Sequence, residues 1–172
     1  MKKTNKMIFL SLLVSIGLAV SLIESSIPLP IPIPGARLGL SNIVILVTLI
    51  IFGFKDAFTV SVLKSIVLML VTGSVSSFIY SISGAILSTI VMFIVYKYFS
   101  NIFSLIGVSI FGAVSHNTAQ VAIATLIMSN IKIFFYLPIL LLMSLFTGYF
   151  VGISSNFVSK NLGKNLHVMK NS

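Results

Sequence analysis

Long uncharged apolar runs recur along the whole chain, and this limits what it can fold into. A helix needs about 20 mostly apolar residues to cross a bilayer, with a range of about 17–25. Six runs approach that length, at about 7–23, 38–54, 57–71, 78–96, 103–128 and 134–157. Of the 172 residues 58% are hydrophobic and 8% charged, and mean hydropathy is +1.18. A soluble domain carries about 25% charged residues, and a core this small could not hide so much apolar surface. The surplus requires lipid as a second solvent. The sequence therefore predicts an all-α integral membrane protein, a single bundle of six transmembrane helices.

The formal net charge of +9 does not point to nucleic acid, because the basic residues flank apolar runs and form no stripe on a polar surface. They act as orientation signals instead. With the N-terminus inside, the cytoplasmic side holds Lys2, Lys3, Lys6, Lys55, Lys97, Lys160, Lys164 and Lys170, and the outer side holds Arg37 and Lys132. The positive-inside rule then predicts both termini in the cytoplasm of a multi-pass protein of the bacterial plasma membrane. Lys2 and Lys3 ahead of an apolar run also suit a signal peptide. The run exceeds the usual h-region of about 7–15 residues and no small-x-small site follows cleanly, so a retained helix is expected.

The first loop, Pro28-Leu29-Pro30-Ile31-Pro32-Ile33-Pro34-Gly35, forbids helix and favours a stiff extended segment. It reads equally as a spacer or as a cap over an outward-facing site. Small residues recur at helical spacing in two runs. The first has Ser11, Ser15 and Ala19, with Gly17 and Ser21 on a neighbouring stripe; the fourth has Ser77, Ser81, Ala85 and Ser88, with Gly84 adjacent. Such spacing lets helix backbones approach closely in lipid, within the chain or against a partner.

Ionisable groups inside a bilayer are expensive and are functional candidates by default. Lys64 lies near the middle of the third run, far from both acids, Glu24 and Asp56. Either it pairs with Glu24 or it binds an anionic ligand. In the fifth run, the spacing of His116, Asn117 and Gln120 allows all three to project toward one face. Arg37 opens the second run on the outer side, with Ser41 and Asn42 one turn deeper, an arrangement suited to an anion. Arg37, Asn42, Lys64, His116, Asn117 and Gln120 are therefore the candidate substrate-binding residues. Their net charge calls for an anionic or strongly hydrogen-bonding small molecule. With no cysteine, two acids and two histidines, neither a metal site nor a cofactor is expected.

Three segments carry a family resemblance. Pro34-Gly35-Ala36-Arg37-Leu38-Gly39-Leu40-Ser41-Asn42 looks like a first signature, and Gly107 through Gln120, ending Ser115-His116-Asn117-Thr118-Ala119-Gln120, a second. Ser81-Ile82-Ser83-Gly84-Ala85 fits between them. The chain resembles the Gx transporter family, also labelled heptaprenyl diphosphate synthase component I, which is similar to the substrate-binding S components of energy-coupling factor (ECF) transporters. The resemblance covers about residues 7 to 158. It implies a six-helix subunit that binds a vitamin-like molecule from outside, has no catalytic activity of its own, and docks on a transmembrane coupling protein carrying two ATPases. Ser11, Ser15 and Ala19 fit the place through which such subunits dock. The resemblance also leaves a second role, as a non-catalytic membrane subunit of an isoprenoid, quinone or flavin-based electron-transfer assembly. The synthase label finds no paired aspartate-rich motif here, and no phosphate-binding G-x-x-x-x-G-K-[ST] loop exists for ATP hydrolysis. A proton-coupled carrier using His116 would lack a buried carboxylate partner in this reading.

Overall fold

The computed structural model describes residues 3–27 and 37–171, with side chains described as far as Leu162. The proline-rich loop at 28–35 lies outside the described residues. Regular structure within them is helical throughout. The helices are α1 (Lys3–Ser25), α2 (Asn42–Phe52), α3 (Phe54–Thr72), α4 (Val75–Tyr98), α5 (Leu105–Met128) and α6 (Leu137–Asn171), with a 3-10 turn at Ile131–Tyr136 leading into α6.

Four stretches are long and apolar enough to cross a membrane: Lys3–Ser25, Val75–Tyr98, Leu105–Met128 and Ile131–Leu162. The chain is thus a helical membrane protein. The other two helices differ from the simple span that their hydropathy suggests. α3 has 19 residues but carries Lys55, Asp56 and Lys64. α2 has only 11 residues. At about 1.5 Å per residue it covers roughly half of a bilayer core about 30 Å thick.

The second run was expected to be helical over 38–54, and the structure corrects its start. Gly39 has φ +85°, which no regular helix contains, and the N–H groups of Gly39 and Leu40 go to the Glu24 carboxylate. The helix begins only after this, through the bonds Asn42 N–H to Gly39 O (3.0 Å) and Ile43 N–H to Leu40 O (3.1 Å). At its far end Gly53 (φ +89°, ψ −177°) donates to Leu49 O and closes α2. That backbone region is essentially restricted to glycine, so the break before α3 is written in the residue.

The short α2 is the centre of the bundle. It packs against α1, α3, α4, α5 and α6, and every residue from Val44 to Leu49 is buried. A helix that is apolar all round belongs in such a place. α5 and α6 approach most closely through Gly148 and Gly152. A Cβ on either would stand 2.6 Å from Ile110 Cα or 2.5 Å from Ile106 Cα. In lipid this glycine spacing is a packing device. The stripe on α4 also points inward, with Ser81, Gly84, Ala85 and Ser88 buried. On α1 the two stripes separate: Gly17 and Ser21 are buried, whereas Ser11, Ser15 and Ala19 are exposed.

Candidate binding site

The unwound residues 37–41 enter the bundle beside the middle of α3, and the buried polar side chains gather around them. Lys64 is 1% exposed. Its stem passes Gly17, where a Cβ would come within 3.2 Å of Lys64 Cδ. Its Nζ donates to Ser41 Oγ at 2.6 Å. Glu24, in the last turn of α1, is 3% exposed. Its Oε1 accepts from the N–H groups of Gly39 and Leu40, the latter at 3.3 Å. Lys64 and Arg37 both act on this carboxylate through space, but neither closes on it. Among the described residues one ion pair reaches contact, Lys6 to Asp56 at 2.7 Å, at the other end of α1.

Arg37 is buried, and its N–H donates to Gln120 Oε1 at 3.0 Å. That bond sets the orientation of the amide, because a backbone N–H can only donate. Gln120 Nε2 therefore faces His116 Nε2, 2.7 Å away, and must donate to it. His116 Nε2 accepts through its lone pair, so the imidazole is neutral and its proton sits on Nδ1. The Nδ1 edge of the ring lies against Gly84, where a Cβ would be only 2.7 Å away. Gly39 bounds the other side of the ring: a Cβ there would meet His116 Cδ2 at 3.2 Å and Asn42 Nδ2 at 3.0 Å. The hydroxyls of Ser65 and Ser81 share a buried hydrogen bond of 3.2 Å between α3 and α4.

Of the residues singled out from the sequence, Arg37, Lys64, His116 and Gln120 come together here. Asn42 is buried beside them, with neither amide atom hydrogen-bonded among the described residues. Asn117 turns away. Its Nδ2 donates to Ser144 Oγ (2.8 Å) and Leu140 O (3.3 Å), tying α5 to α6. Adjacent helical residues diverge by about 100°, so Asn117 cannot share the direction of His116. Glu24, Ser41, Gly39 and Gly84 belong to the cluster and were not among the sequence candidates. The scarcity of acids was the available signal for Glu24, since a carboxylate at the end of an apolar run needs a partner.

All of these cluster residues fall inside one further finding. A family model described as heptaprenyl diphosphate synthase component I matches residues 13–158. The chain belongs to that family. No curated protein and no solved structure matches it. In this member of the heptaprenyl diphosphate synthase component I family the matched stretch runs from within α1 into α6. It includes Ser15 and Ala19 but starts after Ser11. The exposed stripe borders an apolar groove of about 420 Å³ between α1 and α3, lined by Leu10, Ser11, Val14 and Ser15 on one side and Thr59, Leu63 and Val67 on the other.

Proposed function

We propose that the chain is the membrane-embedded substrate-binding subunit, or S component, of an ECF-type uptake transporter. It takes a small anionic, vitamin-like molecule from the outer side and performs no catalysis itself. One observation carries this reading: irregular backbone at 37–41 runs inside the bundle, beside two buried cations and a carboxylate. Irregular backbone at membrane depth is tolerated where it is enclosed by protein or lines a binding cavity. In this reading all six helices lie in the membrane, with α2 and the preceding segment together forming one crossing. The groove between α1 and α3 receives a helix of the coupling protein, against Ser11, Ser15 and Ala19. Transport energy comes from two ATPase subunits bound to that protein.

A second reading takes the family description literally and makes the chain a non-catalytic membrane subunit of an isoprenoid or quinone assembly. Against a catalytic role in it stand the two acids of the whole chain. Glu24 is committed to backbone amides and Asp56 to Lys6 at the opposite end, so they cannot together hold a magnesium diphosphate.

Purification of the full chain from its own membranes separates the readings. Mass spectrometry of the complex is expected to find two ATPases, a coupling protein and a bound small anion. A prenyltransferase in their place would support the second reading and refute the first. Lys64→Met should lower retention of that small molecule by about 10- to 100-fold, since a charge-assisted hydrogen bond contributes roughly 1.5–3 kcal/mol. Lys64→Arg should keep much of it. Lys132→Met, on the exposed 3-10 turn, should change little. Undiminished retention by a folded Lys64→Met chain would make Lys64 a structural partner of Glu24.

A further inference from the structure

The Glu24 carboxylate stands among groups suited to an anion. Its Oε1 occupies two backbone amides, while Oε2 is buried with no hydrogen-bond partner among the described residues. Arg37 Nη1 and both amide atoms of Asn42 are in the same condition. With each side chain in its ordinary charge state, Lys64 and Arg37 bring two positive charges and Glu24 one negative. His116 adds none, because its Nε2 accepts from Gln120. One positive charge is left over. Buried charge is costly unless it is matched, so an excess of either sign is penalised.

The geometry points to a monoanionic ligand of the carboxylate class, with Glu24 as the residue that fixes its charge. The single acidic group completes the Arg37 and Lys64 pair. Glu24 Oε2, an acceptor only, takes an N–H or O–H of the ligand and repels a second negative group. A diphosphate would overshoot and leave the cluster negative. This inference rests on the substrate-binding reading and narrows its ligand class.

The test is the thermal unfolding midpoint of the full chain in detergent. Sodium benzoate serves as the monoanion probe and sodium pyrophosphate as the polyanion, at matched ionic strength. Ligand-free Lys64→Met should unfold about 2–4 °C above wild type, because the unmatched charge is gone. Glu24→Gln, with one more unmatched charge, should unfold lower by a similar amount. Benzoate should raise the wild-type midpoint and leave Lys64→Met unchanged. Pyrophosphate should overtake benzoate only in Glu24→Gln. The inference is overturned if pyrophosphate stabilises wild type more than benzoate does, or if neither probe shifts wild type. It is also overturned if Lys64→Met lowers the midpoint, a chain that fails to fold being counted with that outcome. Failure of the substrate-binding reading looks different: the purified complex would lack ATPases and a coupling protein, whatever the order of the midpoints.

Discussion

Gly84 has no side chain, and the imidazole of His116 uses the room. A Cβ at this position would lie 2.7 Å from both Nδ1 and Cε1 of the ring. The ring cannot swing aside cheaply, because it is buried and held by Gln120. Gly84→Ala should therefore break the His116–Gln120 bond and cost about 1–3 kcal/mol, the usual range for overpacking a filled interior. The unfolding midpoint should drop by about 2–4 °C per kcal/mol, and ligand retention should fall with it. Ser83→Ala is the comparison, since among the described residues that half-buried hydroxyl bonds only back to Tyr80 O at 3.0 Å. Equal midpoints for the two variants would mean that the ring is not confined. At this scale the sequence shows which residues are out of place in lipid: Lys64, His116, Gln120 and Arg37 were legible as polar groups in or beside apolar runs. It does not show the direction in which each points. Asn117 is one residue from His116 and serves another helix, and Glu24 finds its partners only because the chain folds back at Gly39.

The glycines of α6 make a different contact from Gly84, because they meet backbone. Gly152 faces Ile106 Cα and Gly148 faces Ile110 Cα, and no rotamer change can clear either atom. Gly152→Ala should push α5 and α6 apart along their length and lower stability by about 1–3 kcal/mol, measured as an earlier unfolding transition. An unchanged transition would show that the two helices can part enough to accept a methyl group at no cost. This glycine pair stands in the sequence as Gly148-x-x-x-Gly152, with the same one-turn spacing as the stripes on the first and fourth runs. Spacing reveals that a stripe exists, whereas its direction depends on neighbours. Hydropathy likewise marks the second run as apolar from end to end. It cannot register that two amides of that run are claimed by a carboxylate from α1, which delays the start of the helix to Asn42.

The whole molecule is polarised. Lys6, Lys55, Lys97 and Lys160 sit toward one end of the helices, while Arg37 and Lys132 sit toward the other. If the first end faces the cytoplasm, a cysteine at Ser100 should be shielded from impermeant thiol reagents on intact cells, and one at Asn130 should be labelled. The chain has no native cysteine to confuse the pattern. The reverse pattern would invert the topology and close the proposed outer route to the site. The same polarity gives the Gln120 relay a practical meaning. Three parts of the bundle meet in it: the segment before α2 through Arg37 N–H, α5 through Gln120 and His116, and α4 through Gly84. Any rearrangement that withdraws Arg37 N–H frees the Gln120 amide to turn over, and the imidazole must then exchange the nitrogen that carries its proton. The chain holds two histidines, so nitrogen-15 resonances from labelled imidazole would comprise those of His116 and His167. The crowded His116 ring is a native spectroscopic reporter of whether the Arg37–Gln120–His116 contacts are intact, present without any introduced probe.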